Sequence, residues 1–328
     1  MDTDWRNRLA RIAAAICAGL LGMAGAVQAQ GYPERPVKLV VAFAAGGASD
    51  ALARMVAQEA ARPLGQPMVV DNLAGGGGTL AARSVARAAP DGYTIMLGSP
   101  GSMIINPLLQ PGLPYDPEAF VPVGSLARIS YALMVRQGLG AGTVEQLVKL
   151  SRERPDGLTV GSAGMGSNTH LVAMSFMAST GARLRHVPYK GTAPAMNDLM
   201  AGNIDLLFDS VPVVIPHAQG RKVQVLAVTG AQREPVLPQV PTVAESAWPG
   251  FTANNWFGIF APPGTPPAVV QKLNQGFNAA LADPGLRQRL QASGNRPVGG
   301  TPDELRQWVQ GERASYQALI KSARISLE

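Results

Sequence analysis

Four glycine-bearing loops carry the residues of this 328-residue chain that are best suited to holding a small molecule. The first loop, residues 43–50 (FAAGGASD), leads from an apolar run into an amphipathic stretch. A turn from a strand into a helix presents unpaired N–H groups and the positive end of the helix dipole, and both suit an anion. A plain strand-to-helix turn, in which Asp50 complements the helix dipole, fits this loop equally well.

The other three loops offer different chemistry. In the second, residues 72–79, Leu80 stands where a dinucleotide-binding fingerprint needs a third glycine, and no Gly-Lys-Ser/Thr follows. A flexible rim loop is therefore favoured over a nucleotide site. The third loop, 98–102, follows another apolar run. The fourth, 161–170 (GSAGMGSNTH), sets Ser, Asn and Thr beside exposed N–H groups, which makes a neutral donor cradle suited to a carboxylate.

Signatures of catalysis are mostly absent from the sequence. It has no Gly-x-Ser-x-Gly elbow, His-Glu-x-x-His zinc site or Ser-x-x-Lys motif, and its three histidines lack the spacing of metal ligands. No metal and no cofactor are therefore expected. His170 is either a ligand or base, or a polar residue in the first turn of a helix. Asp205 and Asp209 share one face of an apparent strand, as an acid pair or, more commonly, as residues that set turns.

Alternating strand-like and helix-like segments must position these loops. Several apolar runs are continuous rather than alternating, which is typical of strands buried on both faces. Helices are predicted over 49–64, after a capping box at Thr143, after Thr265 with Pro266 in the first helical position, and after Thr301. This β/α alternation predicts parallel or mixed sheets flanked by helices. The predicted strands are Val37–Phe43, Met68–Asp71, Tyr93–Gly98, Tyr131–Arg136, Leu158–Ser162, Leu184–Tyr189, Ile204–Asp209, Val223–Thr229 and Trp256–Ala261.

Composition bounds the class of protein. Hydrophobic residues make up 46% of the chain and charged residues 15%, which provides a large core and excludes a disordered chain. At roughly 150 residues per domain, the length suggests two domains. The net charge of +6 fits small anionic ligands only weakly. The longest basic feature, Arg183–His186, is short, so no nucleic-acid partner is expected.

The first 29 residues have the pattern of a signal peptide. Three arginines (Arg6, Arg8 and Arg11) precede an apolar run from Ile12 to Val27, and cleavage is predicted after Ala29. This apolar run is shorter than the about 20 residues that spanning a bilayer takes, so a transmembrane anchor is disfavoured. The single cysteine lies inside this segment, so the mature chain forms no disulfide. A soluble, exported protein is predicted.

Taken together, these segments resemble the Bug family, the periplasmic solute receptors of tripartite tricarboxylate transporters. The resemblance runs from about Tyr32 to the C-terminal helix, and its most specific segments are 89–94 (APDGYT) and 187–191 (VPYKG). Ala45 stands where the family usually has proline, and Leu73 where it usually has arginine. Further matching segments are 36–43, Gly46-Gly47-x-x-Asp50-x-x-Ala53-Arg54, 75–78, 106–108, 113–116, 226–229, 241–245 and Trp256-x-Gly258.

The resemblance implies an α/β, two-lobed periplasmic binding protein of the Venus-flytrap, type II-like kind. Lobe 1 would comprise 31–130 plus 255–328, and lobe 2 would comprise 131–254. Two crossing segments, near 130–136 and 254–260, would form the hinge. A small carboxylate would bind in the cleft between the lobes of a periplasmic monomer. The closed receptor would then deliver it to the membrane permease subunits.

The family's carboxylate contacts, on backbone amides and small hydroxyls of both lobes, map onto fourteen positions. Two other classes of function stay open at this stage. One is a secreted α/β enzyme that acts on a small organic acid through Asp50 or Asp209 with His170, and the other is a receptor that signals to a membrane sensor. The fourteen implied contacts are Ala45, Gly46, Gly47, Ser49, Asp50, Ser99 and Ser102 on lobe 1, and Ser162, Gly166, Ser167, Asn168, Thr169, Thr192 and Asp209 on lobe 2.

Overall fold

The structure, a computed structural model, describes residues 31–110, 112–189 and 191–323. The predicted signal peptide and its cleavage after Ala29 lie outside these residues and stay predictions. None of the helices in the described ranges combines the length and apolarity that crossing a membrane requires.

Within the described ranges the chain forms ten strands and ten α-helices, with a 3₁₀ turn at Gly76–Gly78 and a π-helical turn at Gly101–Ile105. The strands are β1 (Val37–Val41), β2 (Met68–Asn72), β3 (Thr94–Gly98), β4 (Val121–Val135), β5 (Leu158–Ser162), β6 (Leu184–Pro188), β7 (Leu206–Ser210), β8 (Gln224–Val228), β9 (Asn254–Ala261) and β10 (Arg296–Pro297). The helices are α1 (Ala48–Leu64), α2 (Thr79–Ala86), α3 (Asn106–Leu109), α4 (Val144–Glu153), α5 (Asn168–Thr180), α6 (Thr192–Ala201), α7 (Val211–Gln219), α8 (Pro267–Ala282), α9 (Pro284–Ala292) and α10 (Pro302–Ala323).

The long strand β4 belongs to two sheets. Its first part, Val121–Ser130, pairs with β9 and β10, and its last part, Tyr131–Val135, pairs with β7 and β8. The first sheet has the order β2-β1-β3-β9-β4, and the second has the order β6-β5-β7-β4-β8. In each sheet the first three strands are parallel and the crossing strand is antiparallel to its neighbour. The two-lobed α/β architecture is therefore confirmed.

Helices cover both faces of each sheet. Successive residues of a strand point to opposite sides of the sheet, so each strand packs against helices on both sides. In β1, Leu39 faces a core shared with α1, α8 and α9, whereas Val40 faces a core shared with α2 and α10. In β7, Phe208 faces α4 and α5, whereas Leu207 faces α6 and α7. The continuous apolar runs of the sequence thus reflect strands that bury both faces.

The C-terminal helix α10 also reaches across from the first sheet to the second. It packs on β4, on the π-helical turn and on α5. Apolar side chains form a separate cluster at this crossing, in which Ile105 and Leu171 are fully buried against Tyr316, Ile320 and their neighbours.

Eight of the nine predicted strands are confirmed within about two residues at both ends, and the ninth, Tyr131–Arg136, is only the last part of β4. The first part of β4 and the whole of β10 were missed. The first part of β4 contains Pro122 and Gly124, which are unfavourable in strands, and β10 has only two residues. The helix starts after Thr143 and Thr301 are confirmed. The helix after Thr265 is offset by one residue, since Pro266 is its N-cap and Pro267 its first residue.

The cap at the start of α10 gives a test of the fold. The Thr301 N–H donates to Glu304 Oε2 at 2.7 Å, and the Glu304 N–H donates to Thr301 Oγ1 at 3.2 Å. We expect Thr301→Ala to lower the free energy of unfolding by about 1 kcal/mol, because a first-turn N–H loses its acceptor. Urea unfolding measures the loss, and Ser315→Ala, on an exposed face of the same helix, should cause none.

Candidate functional site

A cavity of about 250 Å³ lies where the two sheets meet. The carboxyl ends of β1 and β3 face it from the first sheet, and those of β5 and β7 face it from the second. In α/β sheets, ligands bind at this end of the strands. The cavity is lined by Phe43, Ser49, Gly77, Ser99, Gly101, Asn106, Tyr131, Ala163, Gly166, Ser167, Asn168, Thr169, Asp209, Ser210, Asn255 and Phe257.

The electrostatics of this lining come from dipoles rather than from cations. Among the described lining residues there is one acid, Asp209, and no lysine or arginine. The first turns of two helices reach the cavity, α1 through Ser49 and α5 through Asn168 and Thr169. The first N–H groups of a helix have no partner within it, so these two helix starts offer donors and a favourable dipole to an anion.

Asp50 braces the first loop and is absent from the lining. Its Oδ2 accepts hydrogen bonds from the Gly46 N–H at 2.9 Å and from Arg54 Nε at 3.0 Å. The Arg54 guanidinium, helped by the Gly46 N–H, lowers the pKa of Asp50 to about 2. Gly46 has φ +84, a conformation that side chains rarely adopt, so this bond fixes the loop in a shape that needs glycine. Asp50 therefore fixes the shape of the first loop without lining the cavity itself.

The fourth loop is held by its own hydroxyl groups. Thr169 Oγ1 accepts from the Ala163 N–H at 2.9 Å, and Ser162 Oγ accepts from the Gly164 N–H at 3.1 Å. Ser167 Oγ donates to the Gly164 carbonyl at 2.7 Å. These amides and hydroxyls, expected to face the ligand freely, are largely engaged in keeping the loop folded. The donors left for a ligand are those of the first turn of α5.

Two stacked histidines support this loop from below. The rings of His170 and His186 lie 4.0 Å apart at an interplanar angle of 18°. His170 Nδ1 accepts from the Gly166 N–H at 3.1 Å, and His186 Nε2 lies 2.6 Å from Ser162 Oγ. Burial lowers the pKa of both rings, and that of His170 falls to about 4 with a further contribution from His186. The sequence allowed His170 to be a ligand or base, or a polar residue of a first helical turn. The hydrogen bond at its Nδ1 supports the second, structural role.

The third loop connects the second loop to the cavity. Ser102 Oγ accepts from the Ser99 N–H at 3.2 Å, and Asn106 Nδ2 donates to the Gly77 carbonyl at 2.8 Å. Gly77 and Asn106 both line the cavity, so the second loop contributes to the site itself. Ser102 is fully buried behind Ser99 and is absent from the lining.

Asp209 is the buried acid of the cavity. It is 4% exposed, and its Oδ1 accepts from the Ser210 N–H at 2.7 Å. Oδ2 is buried and has no hydrogen-bond partner among the described residues. Burial raises the pKa of Asp209 to about 6, against the lowering effects of Thr192 and Ser210. The acid pair considered from sequence does not form, since Asp205 is bound by Arg136 Nε at 3.0 Å and the Thr159 N–H at 2.9 Å.

Seven of the fourteen predicted contacts line the cavity, and the other seven are absent from its lining. Of the nine lining residues that sequence reasoning missed, three come from the crossing strands: Tyr131 on β4, and Asn255 and Phe257 on β9. Asn168 Nδ2 donates to Asn255 Oδ1 at 3.3 Å, which joins the two sides of the cavity. In the lining are Ser49, Ser99, Gly166, Ser167, Asn168, Thr169 and Asp209; outside it are Ala45, Gly46, Gly47, Asp50, Ser102, Ser162 and Thr192.

Because its carboxyl group is buried, Asp209 predicts a difference in stability between the wild type and Asp209→Asn that depends on pH. Its pKa rises from an ordinary 3.8 to about 6 on folding, so the folded state favours the neutral form and stability falls as the pH rises from about 4 through 6. Asp209→Asn keeps an acceptor for Ser210 and removes the charge. At pH 8 we expect it to raise the free energy of unfolding by up to about 3 kcal/mol.

Urea unfolding of both proteins at pH 4 and pH 8 measures this difference. The two proteins should differ little at pH 4, where both side chains are neutral. An equal difference in the free energy of unfolding at pH 4 and pH 8 would contradict the raised pKa of Asp209.

The histidine stack predicts the opposite pH dependence. The pKa of His170 falls from 6.5 to about 4 on folding, so its contribution is present above pH 6.5 and is lost as the pH falls through 4. The loss amounts to about 3 kcal/mol at most. We expect His170→Gln to flatten this part of the stability profile, measured by urea unfolding between pH 7 and pH 4. His217→Gln, outside the stack, should leave the slope unchanged.

Known proteins with the same architecture place the chain in a family. The sequence profile described as "Tripartite tricarboxylate transporter family receptor" matches residues 52–325. BugT of Bordetella pertussis is 33% identical over 309 residues, which cover 94% of this chain and 95% of BugT.

Two solved structures extend the comparison. Rpa4515 of R. palustris, solved with adipate, has a TM-score of 0.82 and 38% identity over 90% of this chain and 99% of its own. MatC from Rhodopseudomonas palustris, with bound malate, has a TM-score of 0.77 and 35% identity over 88% of this chain and 100% of its own. The resemblance read from the residues is thus confirmed along nearly the whole described chain, which belongs to the Bug-type receptors of the tripartite tricarboxylate transporter family.

Proposed function

We propose that this protein is a periplasmic receptor that binds a small carboxylate between its two lobes and delivers it to the permease subunits of a tripartite transporter. The observation that carries the proposal is the pair of helix starts, α1 and α5, that reach one cavity from different sheets. Their N–H groups and dipoles attract an anion without burying a counter-charge.

The lobes follow from the path of β4. We assign 31–130 plus 255–328 to lobe 1 and 131–254 to lobe 2. The change of partner sheet between Ser130 and Tyr131 supports the first boundary. The pairing of β9 with the first part of β4 supports the second boundary, because Asn254 is opposite Ser130. Both crossing strands lie beneath the cavity, as hinge segments should.

Binding and closure are one event in this proposal. A carboxylate held by α1 on one lobe and by α5 on the other makes its full set of hydrogen bonds only when the lobes are closed, so it selects the closed state. A micromolar dissociation constant corresponds to about −8 kcal/mol, which a few charge-assisted hydrogen bonds supply. The adipate and malate in the two solved relatives support a carboxylate as the ligand class.

A thermal-shift screen of residues 30–328, refolded once to remove carried-over ligand, tests the ligand class. A panel of mono-, di- and tricarboxylates and amino acids is the set of probes. A ligand at a hundredfold excess over its dissociation constant should add about 2.7 kcal/mol of stability. A panel without a stabilising acid would contradict the proposal.

Gly101 gives the sharpest test of the site. It lines the cavity, and a Cβ there would lie 3.6 Å from the Gly77 carbonyl and 3.9 Å from Asn168 Oδ1, so the backbone accepts a side chain whose branches would fill the cavity. We expect Gly101→Val to weaken binding of the acid found in the screen by about 100-fold or more, or about 2.7 kcal/mol. Isothermal titration calorimetry measures the change.

The matched control is Gly311→Val on the exposed face of α10, where a Cβ meets no atom within 4 Å. Unchanged binding by Gly101→Val would move the site elsewhere.

Delivery to a permease is tested separately, by loss of uptake of the same acid when the receptor gene is deleted. Uptake should return with the wild-type gene and stay low with Gly101→Val.

A further inference from the structure

We propose that Asp209 selects ligands that carry a hydrogen-bond donor, a hydroxyl or ammonium group, in addition to the carboxylate. This inference rests on the proposed function and narrows its ligand class to hydroxy- or amino-substituted acids. Asp209 would act as a binding residue, with its free oxygen as the acceptor.

The geometry of Asp209 is that of a half-satisfied acceptor. The side chain lies at the carboxyl end of β7, is 4% exposed, and lines the cavity. Oδ1 is engaged by the N–H and the hydroxyl group of Ser210, at 2.7 and 3.4 Å. Oδ2 is buried without a partner among the described residues. Leaving a buried carboxylate oxygen unpaired is costly, so a ligand that donates to it gains affinity.

The surroundings of Asp209 supply few other donors. Thr192, at the start of α6, and Ser210 both lower the pKa of Asp209, yet Oδ2 stays without a hydrogen bond. Tyr131 on β4 and the polar start of α5 line the same cavity, whose described lining includes no lysine or arginine. A charged Asp209 and a ligand carboxylate therefore repel each other across a cavity that holds no described cation.

A hydrogen-bond donor on the ligand gives Oδ2 a partner and also offsets the repulsion between Asp209 and the ligand carboxylate. A hydroxyl group forms a charge-assisted hydrogen bond with Oδ2, and an ammonium group also neutralises the carboxylate. The competing way to satisfy Oδ2 is a proton on Asp209 itself, which would favour plain diacids. The two differ in pH dependence, since binding of a donor strengthens as Asp209 ionises and binding of a plain diacid strengthens as it takes up a proton.

Matched sets of acids test the inference. Succinate, malate and aspartate form one set, and glutarate, 2-hydroxyglutarate and glutamate form the other. Their dissociation constants are measured by calorimetry at pH 5 and pH 8 on residues 30–328 of the wild type, of Asp209→Asn and of the control Asp156→Asn. The control removes an exposed acid whose side chain is outside the cavity lining.

At pH 8 we expect the wild type to bind a hydroxy or amino acid about tenfold or more tightly than its plain partner, a preference of at least about 1.4 kcal/mol. Asp209→Asn should abolish this preference, and Asp156→Asn should keep it. Comparing the hydroxy with the amino acid then identifies the donor. The higher stability expected of Asp209→Asn at pH 8 guards against a loss caused by misfolding.

Two results would overturn the inference while leaving the proposed function intact. One is equal or tighter binding of the plain diacids, strengthening toward pH 5, which would assign the proton to Asp209. The other is a donor preference that Asp209→Asn preserves. If none of the six acids nor any acid of the wider panel binds the wild type, the proposed function fails and this inference fails with it.

Discussion

The passage of β4 from one sheet into the other is the constraint on which the rest of the structure depends. Because a single strand of 15 residues is hydrogen-bonded in both sheets, the two sets of loops at their carboxyl ends are brought face to face. The four loops that form the site lie far apart along the chain. Their meeting follows from the register of this strand with β7 on one side and β9 on the other.

The loops around the cavity are held in shape by hydrogen bonds within the protein. Asp50 holds the first loop, and the hydroxyls of Ser162, Ser167 and Thr169 hold the fourth, so most polar groups of these segments are already satisfied. The polar groups left unsatisfied around the cavity are few: the first-turn N–H groups of two helices, one buried oxygen each of Asp50 and Asp209, and the hydroxyl group of Thr79. A site built this way loses little conformational entropy on binding.

Much of the fold could be predicted because buried parallel strands read as continuous apolar runs, as Val37–Val41 does. The first part of β4 could not, since Pro122 and Gly124 weaken the local pattern and only its neighbours in the sheet stabilise it. The sequence also left Asp50 and Asp209 equivalent. Their roles depend on contacts that spacing does not specify: Asp50 is bound by Gly46 and Arg54 and lies outside the cavity lining, whereas Asp209 lines the cavity. Tyr131 and Asn255 reach the site only through strand register.

The crossing of α10 onto α5 has a consequence for the resting state of the molecule. The apolar cluster around Ile105 and Leu171 brings side chains of the two lobes into contact. Separating the lobes widely would bring these side chains into contact with water, a cost that is independent of whether an acid is bound. The contact of α10 with α5 therefore opposes a wide separation of the two lobes, whether or not a ligand is bound.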